Sequence, residues 1–598
     1  MNRRHFLKSA GLGAAALTVS GLSRCTKSQS PNVILIITDD QGYGDLGCHG
    51  NPVIQTPNMD KLYTESMRLT NFHVGPTCAP TRASLMTGRY CNRTGVWHTV
   101  MGRSLLRHDE ITMADVFQSA GYKTGIFGKW HLGDSYPFRP EDRGFQESVV
   151  HGGGGVGQTP DYWDNDYFDD TYWQNGAPTK YDGYCTDVWF DNAIKFIEKN
   201  QNSPFFCYLT TNAPHSPFNV DEAYRRFYAE HGLPENRARF YGMITNVDEN
   251  LARLEKRLAD LNLRGNTIFI FMTDNGTAAG VDLDANGFVT NGYNAGMRGK
   301  KGSEYDGGHR VPCFIRWPQN QIGGGRDVSR VTAHIDLLPT LMQMCGIRKS
   351  GQHDMDGISL LPLLQNPENN WPDRTLITDS QRIDFPEKWR KSAVMTDRWR
   401  LINGVELYDM VADPGQTTDV ALDHADVVQK LRADYEAWWA DVSERFDEYC
   451  RIRIGSAQEN PVCLTAHDWH YFPMPWHQGQ IRQGLISNGY WAVVIMQEGE
   501  YEFALRRWPR ELDKGINEGI PAKTGDPAVE DLPAGKAFNI QKGRIRVADI
   551  DTESAIASEA KELVFNITLP KGETKLQTWF YDAGGDTLGA YYVYARKL

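Results

Sequence analysis

The sequence predicts an α/β protein with a large central mixed, mostly parallel sheet flanked by helices, then a small α+β subdomain and an appended β-sandwich. Three observations lead there. Val33–Thr38 (VILIIT), Phe205–Thr211 (FFCYLTT) and Thr267–Thr273 (TIFIFMT) are continuous apolar runs of strand length. Such runs belong to strands buried on both faces, as in a parallel sheet covered by helices. Phe240, Met243, Ile244, Val247, Leu251, Leu254 and Leu258 recur at helical spacing between two of these runs, so strand and helix alternate. Beyond residue 455 the runs shorten and are separated by Gly, Pro and Asp, the texture of an all-β unit.

Taken in order, residues 1–28 form a targeting segment. Arg3-Arg4-His5-Phe6-Leu7-Lys8 precedes an apolar, small-residue run from Ala10 to Leu22, the pattern of a twin-arginine export signal. The run is too short to span a membrane. Cys25 follows Arg24 where a lipoprotein signal has a small residue, so a lipid anchor there is the lesser reading. Export to the periplasm is the expectation. Residues 31–365 carry the α/β pattern. Residues 366–452 hold short antiparallel strands at 392–402 and 406–409 and an amphipathic helix over 427–446, with Leu431, Tyr435, Trp438 and Val442 on one side. Residues 455–598 supply the strand patterns 489–496, 499–505, 563–569 and 590–595.

At 598 residues the chain exceeds one hydrophobic core,. A net charge of −12 argues against nucleic acid as the main partner,, although a locally positive cleft still suits a polyanion. Several of the 16 tryptophans stand in polar loops, a hint of stacking on carbohydrate. Ten cysteines give no dense disulfide framework,. Cys450 and Cys463 bracket a short polar loop and are the candidate bridge, while Cys207 and Cys313 lie in core runs.

The chemistry centres on Cys78-Ala79-Pro80-Thr81-Arg82. Pro80 suits the first turn of a helix, so Cys78 stands at a helix N-terminus, where free N–H groups favour negative charge. Arg82 lies one turn along the same face and offers a planar fork to an oxyanion. By itself this is an anion site containing a thiol, or a buried cysteine beside a capping turn. Two apolar runs end in acids and an amide: Asp39-Asp40 and Asp274-Asn275. These hard oxygen donors suit Ca²⁺ or Mg²⁺ better than zinc. Lys129-Trp130-His131, Pro214-His215-Ser216-Pro217 and Arg298-Gly-Lys-Lys301 place basic groups at other segment ends.

The C-x-P-x-R stretch, its extension through Thr87-Gly88-Arg89, and these blocks in this order resemble the formylglycine-dependent sulfatases of the alkaline-phosphatase-like superfamily. The resemblance implies sulfate-ester hydrolysis, on a sulfated carbohydrate. Cys78 would become formylglycine (3-oxoalanine) through a maturation enzyme, and its hydrate would attack sulfur. Asp39, Asp40, Asp274, Asn275 and modified Cys78 would hold the metal, with Asp274 as proton acceptor. Arg82, Lys129 and Lys301 would bind sulfate oxygens, and His215 and Lys301 would serve the leaving group. His131 would help expel sulfate from the hydrate. Lys301 rather than Lys300 fits the family's R-G-x-K spacing. Asp306 departs from the Glu that many members carry. Relatives sharing C-x-P-x-R include phosphonate and phosphodiester hydrolases, and a non-catalytic glycan-binding protein is the alternative from another class.

The glycine run 152–155 leads into Tyr162, Trp163, Tyr167, Phe168, Tyr172 and Trp173. No Lys-Ser/Thr follows it, so a phosphate cradle is rejected in favour of a loop lining the cleft. A second His/Trp-rich stretch, 465–478, is expected at the substrate rim or a domain interface.

Overall fold

The computed structural model describes residues 30–348 and 353–598. The expected signal, with Arg3, Arg4 and Cys25, lies outside them. The main sheet has ten strands: β1 (Asn32–Thr38), β2 (Met67–Leu69), β3 (Lys123–Lys129), β4 (Glu147–His151), β5 (Thr171–Gln174), β6 (Ala177–Lys180), β7 (Phe205–Thr210), β8 (Thr267–Thr273), β9 (Cys313–Arg316) and β10 (Arg326–Val328). Their order is β10-β2-β9-β8-β1-β7-β3-β4-β5-β6. The five central strands from β8 to β4 run parallel. Both flanks turn antiparallel, at β9 and at β5. Every residue of β1, β7 and β8 is buried, as their unbroken apolar runs require.

Alternate residues of β1 feed different cores. Val33, Leu35 and Ile37 join one cluster, and Ile34 and Ile36 join another, with the long helix Glu235–Asp260. The seven apolar positions picked out by helical spacing on that helix are all buried. Among the described residues no helix is long and apolar enough to cross a membrane.

Strands Leu376–Asp379, Ser392–Met395, Trp399–Ile402 and Glu406–Asp409 form an antiparallel sheet. Val428, Leu431 and Tyr435 of the helix Ala425–Val442 pack on its Ile377, Val394, Leu401 and Leu407. This subdomain is tied to the large one by Arg400, whose Nε donates to Asp306 Oδ1 at 3.0 Å, with both side chains almost fully buried. Burial alone would raise the Asp306 pKa, but Arg400 and neighbouring cations hold its carboxyl well below the usual range. The acid at 306 is thus a subdomain tie. Asp306→Asn strands a buried guanidinium, so we expect unfolding in urea to show a loss of about 3–5 kcal/mol; an unchanged midpoint would contradict the tie.

The remaining chain folds into two sheets. One contains Ile452–Ile454, Tyr490–Ile495, Gly572–Asp582, Ile540–Val547 and Ile550–Ala555; the other contains Val462–Thr465, Tyr592–Lys597, Gly499–Arg506 and Leu563–Leu569. Trp491, Ile545 and Phe580 from the first share one core with Leu464, Phe503 and Val593 from the second, which makes a sandwich. Its first strand begins at Ile452, ahead of the boundary expected at 455. That core also takes in Val100, Met101, Leu105, Phe138 and Trp163 from the large domain. The sandwich is therefore fused to the α/β unit rather than hung from it.

The expected Cys450–Cys463 bridge is absent, and both thiols are free. Cys450 precedes the first strand of one sheet and faces Gly95 and Arg107. Cys463 lies in the other sheet beside Tyr594. Cys207 and Cys313 are buried strand residues.

Candidate active site

The site forms where parallel strands end, the edge at which α/β sheets place ligands. β1 delivers Asp39 and Asp40, β8 delivers Asp274 and Asn275, and β3 ends on Lys129. The helix Cys78–Thr87 begins at the same place, with Cys78 at its first position. Ligand atoms of Asp39, Cys78 and Asp274 all lie within 4.8 Å of one another. Asp40 takes up a positive φ of 68°, uncommon for a residue with a side chain. Its amide then donates to Asp274 Oδ1 at 3.0 Å, locking the two strand ends together.

Each carboxylate has a cation. Lys129 Nζ donates to Asp39 Oδ2 at 2.6 Å, with both side chains fully buried. Lys301 Nζ lies 2.6 Å from Asp40 Oδ1, whereas Lys300 turns away toward the Val281 carbonyl. Arg82 donates from Nη2 to Asp274 Oδ2 at 2.8 Å. Burial alone would raise Asp40, but Lys301, His215 and Lys129 hold its carboxyl well below the usual range. Burial and then Asp39 push the Asp274 pKa up to about 7 despite Arg82 and Lys129. Burial also pushes the Cys78 thiol up, outweighing Lys129 and Lys301.

Three cations balance three carboxylates, so a divalent ion would leave the pocket positive on an acidic protein. Two buried oxygens, Asp39 Oδ1 and Asn275 Oδ1, have no hydrogen-bond partner. Orphaned buried acceptors are costly, and these belong to residues whose hard donors suit Ca²⁺ or Mg²⁺. The donor set fits such an ion.

Arg82 departs from expectation. Its Nε and Nη2 both reach Asp274 Oδ2, and Nη1 donates to the Lys129 carbonyl at 3.1 Å and to Thr210 Oγ1. The fork faces protein acceptors because one helical turn carries Arg82 inward from Cys78, against the ends of β3, β7 and β8. Thr210 belongs to no motif, and its place at the end of β7 is the one sequence signal for it.

His131 Nε2 donates to the Thr99 carbonyl at 2.8 Å, which leaves Nδ1 as the lone-pair nitrogen, buried and unpartnered. Burial and Lys129 keep the ring neutral, with its pKa well below the ordinary value. His215 Nδ1 donates to the Ser216 carbonyl at 2.6 Å, and Nε2 lies 3.7 Å from Asp40 Oδ2. Burial and then Lys301 lower its pKa to about 3.

The glycine run packs against both rings. A Cβ on Gly154 would stand 2.2 Å from His131 Cε1, and one on Gly155 would stand 3.3 Å from His215 Nδ1. Three of its four amides are already engaged: Gly152 donates to Asp161, Gly153 to Asp134 and Gly154 to Gln158. No phosphate cradle remains. Gly154→Ala should displace the His131 ring, lowering turnover by about 100-fold with little change in melting temperature; wild-type turnover would show that the contact is irrelevant. The aromatic residues that follow mostly pack: Tyr167 and Tyr172 are buried, and Trp163 meets Trp508 edge-on.

The stretch 465–478 comes from the sandwich and reaches the site. His467 lies 6.4 Å from His131, ring to ring. His477 caps the helix Gln478–Gln483 and lies beside Gly157.

The sulfatase family model matches residues 31–347, more than half of the chain, including Asp39, Asp40, Cys78, Arg82, Lys129, His131, His215, Asp274, Asn275 and Lys301. The chain belongs to the sulfatase family. A second match, to the N-sulphoglucosamine sulphohydrolase C-terminal family, covers residues 300–439. N-acetylgalactosamine-6-sulfatase from Sus scrofa is 30% identical over 58% of this chain and 68% of that protein. Arylsulfatase A from Homo sapiens is 30% identical over 56% of this chain and 68% of its own length. A crystal structure of Ps i-CgsB in complex with k-i-k-neocarrahexaose matches with a TM-score of 0.63 and 28% identity, covering 70% of this chain and 95% of that one. As a sulfatase, the chain is a sulfuric ester hydrolase, and its ten-stranded sheet is that family's fold.

Proposed function

We propose that this protein is an exported sulfatase that removes sulfate from a sulfated carbohydrate, through a formylglycine made from Cys78 and a Ca²⁺ or Mg²⁺ ion. The convergence of Cys78, at a buried helix start, with Asp39 and Asp274 at two strand ends carries the reading. The orphaned oxygens of Asp39 and Asn275 support the ion, which Asp39, Asp40, Asp274, Asn275 and modified Cys78 would hold. The twin-arginine pattern supports export. The similarity to an N-acetylgalactosamine-6-sulfatase and to a protein solved in complex with k-i-k-neocarrahexaose supports a carbohydrate substrate.

When present, the ion and the hydrated aldehyde supply a nucleophilic oxygen and a counter-charge to the ester. The remaining chemistry belongs to the side chains. Lys129 and Lys301 present fixed ammonium groups to sulfate oxygens and to charge developing in the transition state. Arg82 orients Asp274, whose pKa burial and Asp39 raise, and Asp274 accepts the nucleophile's proton. Asp40 holds Lys301 protonated, its pKa well above the ordinary lysine value despite burial. Lys301 can therefore donate to the departing alcohol oxygen, whereas His215 commits its N–H to Ser216. His131, neutral with Nδ1 free, can take a proton as sulfate leaves.

The test pairs turnover of 4-nitrophenyl sulfate with chelation by EDTA. Enzyme co-expressed with a formylglycine-generating enzyme should hydrolyse the ester, lose activity and melting temperature on chelation, and regain both with Ca²⁺ or Mg²⁺. Faster turnover of a nitrophenyl phosphodiester than of the sulfate would redirect the reading to phosphoester hydrolysis.

A further inference from the structure

The sandwich is more than a neighbour of the site. His467 lies 6.4 Å from His131, ring to ring, and His477 lies beside Gly157 of the glycine loop that packs on His215; the residues between them include three exposed aromatic side chains. Tyr471 is 50% exposed, Phe472 65% and Trp476 36%. Most large aromatic side chains of the sandwich are buried, so these three break the pattern. Tyr471 and Phe472 meet no other aromatic ring among the described residues, and Trp476 meets only His477, edge-on at 5.6 Å.

The segment is held firmly. Thr159 donates its amide to the Trp476 carbonyl at 3.0 Å and its hydroxyl to the Pro475 carbonyl at 2.5 Å. Gln478 donates its amide to the Gly157 carbonyl at 3.0 Å, and its side chain donates to the carbonyls of Gln158, Asp161 and Tyr162. Trp476 is thereby pinned to the same glycine loop that packs on His131 and His215. At the other end, the Met101 amide donates to the His467 carbonyl at 2.9 Å, two residues from the Thr99 carbonyl that orients His131. A rigid, backbone-fixed aromatic surface beside a site for a sulfate ester has the chemistry of a sugar-stacking wall: flat apolar faces for pyranose C–H groups, presented at little entropic cost.

We infer that residues 471–477 form the wall of the leaving-group side, and that Trp476, Tyr471 and Phe472 stack on pyranose rings of the glycan beyond the sulfated sugar. The natural substrate is then an oligosaccharide or polysaccharide chain rather than a monosaccharide sulfate. This rests on the sulfatase reading and deepens it.

The experiment measures kcat/KM for 4-nitrophenyl sulfate and for carrageenan, chondroitin sulfate and heparan sulfate oligosaccharides of two, four and six sugars. It compares wild type with Trp476→Ala, Trp476→Phe and the double variant Tyr471→Ala/Phe472→Ala. In wild type, kcat/KM should rise with chain length in the series that is cleaved. Removing Trp476 should lower the hexasaccharide value by about tenfold, as loss of one stacked aromatic anchor does, and flatten the length dependence, while Trp476→Phe restores it. Melting curves confirm that the variants fold. A length dependence that survives both alanine variants overturns the inference, as does an enzyme that cleaves the aryl sulfate but no oligosaccharide. Failure on the aryl sulfate itself would instead sink the underlying sulfatase reading.

Discussion

Cys78→Ala should abolish sulfate-ester hydrolysis, with kcat falling by about 10⁴-fold or more, and leave the fold intact. The side chain is almost wholly buried at the first position of its helix, and alanine fits there without a new polar demand, so stability should move by less than about 1 kcal/mol. Enzyme made without a formylglycine-generating partner should be nearly as inactive, though its thiol is intact. The physical reason lies in the pocket. A nucleophilic cysteine needs its pKa lowered toward thiolate, and burial here raises it in spite of two lysines. Attack by sulfur would also leave a thiosulfate-type ester with no second hydroxyl through which to eliminate. Mass spectrometry of the Cys78 peptide, read beside activity, separates the cases: activity should track the fraction carrying the aldehyde. Full activity in a preparation whose Cys78 is entirely thiol would show that the modification is not the source of catalysis.

Much of this was legible in the chain, because the signals involved are local. Strands buried on both faces announce themselves as unbroken apolar runs, and β1, β7 and β8 fall where those runs stand. The sandwich strands alternate, as in Leu563–Leu569, whose burial switches at every residue. Strand-end acids and the helix start at Cys78 are also local, so the site's members could be named before their distances were known. What could not be read depends on tertiary packing. Val100, Met101 and Phe138 look like ordinary loop apolar residues, yet they complete the sandwich core. Cys450 and Cys463 are close in sequence, but Cys450 leads into a strand of one sheet while Cys463 lies in the other. Asp306 matched a family acid, and only its contact with Arg400, 94 residues on, explains its retention. The glycine run reads as a cleft lining, but its close approach to His131 and His215 depends on how distant segments pack.

Arg82→Ala should produce the second largest loss, and its pattern discriminates between binding sulfate and positioning Asp274. The guanidinium is 1% exposed and spends every nitrogen on protein acceptors. Removing it leaves Asp274 unpaired against Asp39 in a buried pocket, so we expect about 3–5 kcal/mol of stability to go. Burial and Asp39 already push the Asp274 pKa up; without its cation it rises further, and the carboxyl is more readily protonated. A protonated ligand binds a divalent ion poorly, so Ca²⁺ affinity should fall by about 10–100-fold, the scale seen when a ligand's supporting partner is lost, and kcat should fall with it. Arg82→Lys keeps a charge but cannot reach Asp274, Thr210 and the Lys129 carbonyl together, so it should recover part of the stability and little of the turnover. Calorimetric titration with Ca²⁺ and urea unfolding on the same variants decide the matter. Were Arg82 a direct sulfate ligand, KM for the ester would rise while Ca²⁺ affinity and unfolding midpoint stayed at wild-type values. The helix start at Cys78 would then owe its cation to the substrate and not to the strand end it faces.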